Sequence, residues 1–310
     1  MGVNMATTSK KKGMSDKTKW ILMGAAGFLV FLIGFVMVFG TPSAETVFKD
    51  MNEQMLKTKS VTVDQTMAVV SNDGSAADIS AKLYMNMNSS TEMLASGSFS
   101  MNMTSGASPI SVSGDLIKIG DTEYVKYGSL SSTEPSLSPS FKTIETKLMG
   151  SWIKVRTNDQ FASLAATPAK FTSSVIPTPY ANLTDTQRKD VLAILQDKKM
   201  YTIDESAKVE TGGVSAYKYT LTYNKDQFNK MADAIVSDVK YFKNDSSTDS
   251  KITSFIVWAN ISTKQIIKIE YTGSSTTNGN VRGTMSFSGY NEVKTVEKPN
   301  DYFIESELLN

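Results

Sequence analysis

An uninterrupted apolar segment near the amino terminus constrains this chain more than any other feature of its sequence. Residues 20–39 read WILMGAAGFLVFLIGFVMVF and contain no charged residue, no proline and no side-chain amide. As a helix rising about 1.5 Å per residue, this segment is long enough to cross a hydrocarbon core of roughly 30 Å. A core helix of a soluble protein has a polar stripe, which this segment lacks. We therefore predict one transmembrane helix at residues 20–39.

The charges on either side of this segment predict its orientation. Five lysines and one aspartate lie in residues 1–19, whereas the next basic residue after the segment is Lys49. Because basic residues favour the cytoplasmic side, we predict a cytoplasmic basic tail at 1–19 and an extracytoplasmic C-terminal domain, in a single-pass protein of the cell membrane. The alternative is a cleaved secretory signal, whose apolar region usually covers about 7–15 residues. Under both interpretations, the remainder of the chain is exported from the cytoplasm.

The composition argues against several classes of function. The chain has 310 residues and contains neither cysteine nor histidine. It therefore lacks the usual general base, the commonest metal ligand and every Ser-His or Cys-His nucleophile pair. We predict no catalytic activity, no metal and no cofactor. The net charge is +1 and residues 1–19 carry +4 (five Lys, one Asp), so the remainder is near −3. A chain with this charge has no basic footprint for nucleic acid.

Residues 40–59 are predicted to form a linker followed by an amphipathic helix. The apolar residues with helical spacing are Ala44, Val47, Phe48, Met51 and Met55, and the pattern continues to about Lys57. The polar side of this helix mixes acidic and basic residues, whereas a helix lying on a membrane surface is usually basic. We therefore expect the helix to pack on the folded domain.

Residues 60–310 are predicted to form the extracytoplasmic domain, in which polar and apolar residues alternate along consecutive segments. The alternation is most regular between Val61 and Tyr127, with turn residues at 72–74 and 120–121. Period-two alternation indicates antiparallel strands with one apolar face. Further strands are predicted at 151–156, 201–208, 214–223, 252–260, 265–271 and 281–290, and helices at 141–149, from about 184, and at 225–242. Strands and helices in separate blocks indicate an α+β fold built on one large antiparallel sheet.

Several of these segments resemble a family of bacterial envelope proteins, the LppX/LprG-type lipoproteins. The similar segments are GDTEYVK at 120–126, GSWIKV at 150–155, VWANISTKQIIKI at 257–269, FSGYNE at 287–292 and Pro299. The resemblance implies the LolA/LolB-like fold, a half-barrel of antiparallel strands with helices on its concave face. It also implies that acyl chains of lipids or lipoproteins bind in that concavity. The acylated cysteine of these lipoproteins is absent here, and the predicted transmembrane helix stands in its place.

Methionine residues recur on the apolar phase of three successive predicted strands. Methionine is unbranched and polarisable, and it is frequent on surfaces that bind variable apolar partners. We predict a groove for lipid or another apolar ligand that is lined by Met67, Val69, Leu83, Met85, Met87, Phe99, Met101 and Met103. The alternative is that the domain's own helices fill this face. The protein would then be an envelope scaffold, or a sensor or interaction module, with the same fold and no ligand cavity.

Overall fold

The computed structural model describes residues 41–86, 94–105, 108–120, 122–132, 149–155, 201–223, 250–275 and 279–304, with isolated positions at 142, 186, 189, 192 and 193. The predicted transmembrane segment lies outside these residues. The predicted helix at 225–242 also lies outside them, as do almost all residues of the predicted helices at 141–149 and from about 184. In the described part of the chain, no helix is long and apolar enough to span a membrane.

One helix and twelve strands are found among the described residues. Helix α1 is Ala44–Lys57, the segment predicted to be an amphipathic helix. The strands are β1 Ser60–Val70, β2 Ala76–Asn86, β3 Leu94–Ser105, β4 Ser108–Ile119, β5 Thr122–Ser132, β6 Trp152–Val155, β7 Tyr201–Thr211, β8 Val214–Tyr223, β9 Ser250–Asn260, β10 Ile266–Ser275, β11 Gly279–Ser288 and β12 Phe303–Ile304. The two-residue β12 was not predicted, because so short a strand carries no alternation.

All twelve strands belong to a single sheet with the order β12-β6-β5-β4-β3-β2-β1-β11-β10-β9-β8-β7. The sheet is curved and does not close, because β12 and β7 lie at its two ends. The prediction of one large antiparallel sheet is confirmed, with one correction. The short β12 pairs with β6 in the parallel direction, whereas every other pairing is antiparallel.

The pairing of β1 with β11 joins two meanders into one sheet. Strands β1–β6 pair in chain order, and strands β7–β11 do the same. The joining register places Val63 opposite Phe287 and Gln65 opposite Met285. These partners are more than two hundred residues apart in sequence, so packing rather than a local turn sets this register.

Two glycines allow neighbouring strands to approach closely on the apolar face, which we define as the face that carries Val63, Leu83 and Met85. A Cβ atom at Gly97 would overlap the carbonyl oxygen of Lys82 and lie 2.9 Å from the Cα of Leu83. A Cβ at Gly114 would likewise overlap the carbonyl oxygen of Lys126. Glycine at such positions permits a sharp local bend of the sheet.

Helix α1 packs on the apolar face of the sheet. Val47, Met51 and Met55 of the helix belong to the same buried cluster as the apolar residues of the central strands. The Phe48 ring meets the Tyr219 ring edge-on, with their centroids 5.2 Å apart. The Tyr219 hydroxyl donates a hydrogen bond of 2.7 Å to the carbonyl oxygen of Ala44, at the start of the helix. Tyr219 therefore fixes the amino-terminal end of α1 against β8.

The buried hydroxyl of Tyr219 predicts how stability depends on alkaline pH. Burial, with a smaller contribution from Tyr217, raises the pKa of Tyr219 above its ordinary value of 10.0. The unfolded chain therefore ionises first, so the free energy of unfolding falls as the pH rises above about 10 and is unaffected below it. A Tyr219→Phe variant should be about 1 kcal/mol less stable at neutral pH, because the hydrogen bond from the hydroxyl to the Ala44 carbonyl oxygen is lost. The free energy of unfolding of this variant should fall less at alkaline pH than that of the wild type. The values measured by urea unfolding for the two proteins should therefore converge as the pH rises. Parallel pH dependences would contradict this.

The segment between β11 and β12, residues 289–302, crosses the sheet instead of ending beside β11. Since β12 lies next to β6, this segment passes six intervening strands, roughly 30 Å at about 4.8 Å per strand. Tyr84 of β2 binds this segment through two hydrogen bonds. Its hydroxyl donates one to the Glu292 carbonyl oxygen and accepts one from the Lys294 backbone amide. Near its end the Tyr302 ring meets that of Tyr124 edge-on. This connection ties the ends of the first meander together.

Candidate functional site

The predicted groove residues lie on the apolar face, in three neighbouring strands. Met67 of β1 is opposite Ile79 of β2, and Ile79 is opposite Met101 of β3. Next along the strands, Ala77 lies between Val69 and Met103. Leu83, Met85 and Phe99 occupy the same phase nearer the other end of these strands. Met87 lies outside the described residues. The alternation in the sequence therefore placed seven of the eight residues on one face.

Burial divides these seven residues into two groups. Leu83, Met85, Phe99 and Met101 are buried members of the core. Met67, Val69 and Met103 are only half-buried, and they lie farther along the strands from the residues that α1 helps to cover. The first group therefore stabilises the fold. The second group is the part of the predicted set with surface that a ligand could contact.

The half-buried apolar surface extends beyond the predicted residues. Its further members are Ile79, Ile110, Leu130, Phe255 and Tyr271, which are partly buried and pack against the core. Together with Met67, Val69 and Met103 they form what we call the open region of the apolar face. Ile79, Ile110, Phe255 and Tyr271 follow the same alternation in β2, β4, β9 and β10. Leu130 in β5 lies beyond a register shift that moves the apolar phase of that strand by one residue. The phase of the first four could have identified them, but methionine content drew the prediction to β1–β3, and the register shift hides Leu130 from the sequence.

One polar side chain lies on the apolar face among these residues. Gln65 of β1 is 2% exposed and sits between Val63 and Met67 in the apolar phase. Its Nε2 atom has no hydrogen-bond partner in the structure. Sequence reasoning missed Gln65, although a polar residue that interrupts an apolar phase is itself a detectable pattern.

The Tyr271 ring lies close to this amide because its neighbour is a glycine. A Cβ at Gly283 would come within 2.7 Å of the Tyr271 Cε1, so the ring occupies the space that a side chain would fill. Gly283 is opposite Met67, one step along the face from the Gln65–Met285 pair. Burial raises the pKa of Tyr271, and the neighbouring Gln65 amide lowers it by a smaller amount. The hydroxyl is therefore neutral at physiological pH.

The opposite face of the sheet carries a different site, a polar cavity of about 530 Å³. Its lining includes Thr66, Ser80, Asn102, Asp78, Glu270 and Arg282, which occupy the polar phase of five adjacent strands. A cavity of this size could hold a small polar ligand or part of a partner protein. Met67, Ile79 and Tyr271 of the open region also contribute to its lining.

Two further observations bear on the chemistry of the domain. Within the described ranges, no group of three or more acidic, histidine or cysteine side chains could hold a metal ion. Ser215 and Lys218, which have nucleophile–base spacing, are in strand β8, and their side chains have separate partners. The Ser215 hydroxyl donates to Glu210, whereas the Lys218 ammonium lies 5.6 Å from the Trp258 ring centroid.

Comparison with solved structures gives similarities at low sequence identity. LprF from Mycobacterium bovis has 15% identity, with 84% of this chain and 99% of LprF covered, and a TM-score of 0.42. A LolA superfamily protein from Nitrosomonas europaea has 9% identity, coverage of 84% and 96%, and a TM-score of 0.23. A chain of the MucA/MucB complex of Pseudomonas aeruginosa has 11% identity, coverage of 85% and 58%, and a TM-score of 0.23.

LprF and a LolA superfamily protein, which are of the kinds that the sequence resembles, are thus among the solved structures that this chain is similar to. No family model matches the sequence, and no curated protein does.

Proposed function

We propose that this protein is a non-catalytic, extracytoplasmic domain that binds lipid or another apolar ligand on the open region of its apolar face. The observation that carries the proposal is the change in burial along this face. The core residues Leu83 and Met85 are buried, whereas Met67 and Met103 on the same strands are half-buried. Apolar surface therefore continues past the part of the face that the core fills.

The binding mechanism would be partition of an apolar chain onto this surface. Each CH₂ group moved out of water contributes about 0.8 kcal/mol, so a contact of several methylenes is enough for measurable affinity. Met67 and Met103 would adapt to chains of different shape, because the unbranched methionine side chain changes its conformation easily. The neutral side chains of the open region favour chains without charge along their length.

The proposed location follows from the amino-terminal segment. The apolar run at 20–39 would act as a single-pass membrane anchor, and the lysines before it would keep the amino terminus in the cytoplasm. The ligand-binding domain would then be held close to the outer surface of the membrane. Such a protein would receive or present lipid locally, since a transmembrane helix prevents it from leaving the bilayer.

Native mass spectrometry of residues 41–310, exported and purified without detergent, tests the proposed function. All members of the buried core cluster lie between Val47 and Phe287, so this fragment retains the core. We expect discrete added masses that disappear on organic extraction and fragment as lipids. A ligand-free mass, with no uptake from phospholipid vesicles, would contradict the proposal.

The second candidate function is a scaffold, or a sensor or interaction module, without a lipid ligand. The polar cavity on the opposite face favours it, because Asp78, Asn102, Glu270 and Arg282 present both charges and amide groups to a partner. This function predicts a ligand-free mass in the same experiment. Substitution of Arg282 by glutamate should then weaken partner binding without affecting the apolar face.

A further inference from the structure

We propose that Gln65 and Tyr271 form a polar pair that donates hydrogen bonds to the carbonyl oxygen of an acyl ester bound on the apolar face. This inference rests on the proposed function, and it specifies the chemical class of the ligand. An apolar face alone would accept any hydrocarbon chain. The polar pair would select chains that carry a neutral acceptor.

The first observation is the unsatisfied amide of Gln65. This side chain is 2% exposed, and its cross-strand neighbours on the apolar face are Ala81 and Met285, which offer no hydrogen-bonding side chain. Its Nε2 has no partner in the structure. A buried donor without an acceptor costs about 1–3 kcal/mol. A leucine would fill the position without that cost, so the amide destabilises the domain unless something accepts its hydrogen bond.

The second observation is the position of Gln65 at a boundary. Val63, two residues earlier on β1, is 1% exposed and belongs to the core, whereas Met67, two residues later, is half-buried and belongs to the open region. Gln65 is thus the last fully buried residue on its strand before the open region begins. A chain lying on the open region would bring its inner end to the Gln65 amide.

The third observation is a second donor beside the first. The Tyr271 ring lies across Gly283, where a Cβ would overlap the ring. The Tyr271 hydroxyl is also close enough to the Gln65 side chain for the amide to lower its pKa. Two donors this close together could both bind one carbonyl oxygen, which has two lone pairs.

The charge of the surroundings decides between two kinds of acceptor. On β1, β2, β10 and β11, the residues that share the apolar phase with Gln65 include no charged side chain. An ionised carboxylate buried there would lack a counter-ion, at a cost of several kcal/mol. A neutral ester carbonyl has no such cost. The polar pair therefore fits an acyl ester rather than a free fatty acid.

Photolabelling of the full chain in dodecyl maltoside, a detergent without a carbonyl group, tests the inference. Two diazirine probes of equal chain length are compared, an acyl methyl ester and the matching methyl ether, which has no carbonyl oxygen. We expect the ester to label peptides from residues 60–105 about fivefold to tenfold more strongly than the ether, as one hydrogen bond implies. Gln65→Leu should abolish this preference, and Tyr271→Phe should reduce it.

Thermal denaturation and a matched control complete the experiment. Gln65→Leu should be at least as stable as the wild type, because it removes an unsatisfied buried amide, so loss of preference will not reflect unfolding. Gln265→Leu, the same substitution in the turn before β10, should keep the full ester preference. Equal labelling by both probes, or a preference that persists in Gln65→Leu, would overturn the polar pair while leaving apolar binding intact. Labelling by neither probe would overturn both proposals.

Discussion

Replacement of Met85 by aspartate is expected to prevent the domain from folding. Met85 is 1% exposed and lies between Val61 and Ala95 in adjacent strands, so a carboxylate there would be buried without a partner. The cost should exceed about 4 kcal/mol, a large part of the 5–15 kcal/mol that stabilises a typical domain. Circular dichroism should show no cooperative thermal transition, and the soluble yield should be very low.

The same substitution at Met103 is the matched control. Met103 lies on the same face but is only half-buried, so the new carboxylate can reach water. We expect Met103→Asp to fold, with a loss of stability of about 1–2 kcal/mol, and to retain less lipid than the wild type. A Met85→Asp variant that unfolds at the wild-type temperature would show that Met85 is not a core residue.

Replacement of Gly97 by alanine should also be strongly destabilising, although it adds a single methyl group. A Cβ at this position would overlap the Lys82 carbonyl oxygen, and it would lie 2.9 Å from both the Cα and the Cδ2 of Leu83. Because two of these three atoms belong to the backbone, a change of rotamer cannot relieve the overlap. We expect a loss of about 3 kcal/mol or more, measured by urea unfolding, as β2 and β3 are forced apart.

Gly128 provides the control for Gly97. Gly128 belongs to β5 in the same meander, but a Cβ there would meet nothing closer than 3.8 Å. Gly128→Ala should therefore change stability by less than about 1 kcal/mol, and in the stabilising direction if only the entropy of the unfolded chain is affected. If both variants lost the same stability, the close approach of the strands at Gly97 would not be the reason that this position needs glycine.

These two predictions concern the fold, whereas the ligand experiments concern the open region of the same face. The separation matters because a core substitution such as Met85→Asp would abolish lipid binding merely by unfolding the domain. Variants at Gln65 and Met103 avoid this problem, since the first removes an unfavourable group and the second lies where water can reach it. Binding and folding can therefore be measured separately on one face.

The sequence predicted local structure well because local structure depends on neighbouring residues. The helical spacing from Ala44 to Lys57 gave the observed bounds of α1. The alternation from Val61 onward gave the strands of the first meander, and the predicted strands at 201–208 and 214–223 correspond to β7 and β8. The phase of the alternation also gave the face on which Met67, Met85 and Met101 would lie, since side chains in a strand alternate between two faces.

Other features required the tertiary structure, because they depend on contacts between distant segments. The register of β1 with β11, the parallel β12 and the connection across the sheet all join residues far apart in the chain. The alternation showed which residues share a face, but not which of them are covered. Burial is decided by what packs above a strand, and this alone separated Met85 in the core from Met67 in the open region. In the same way, Gln65 is a polar residue in the sequence, and only its surroundings make it a buried donor without a partner.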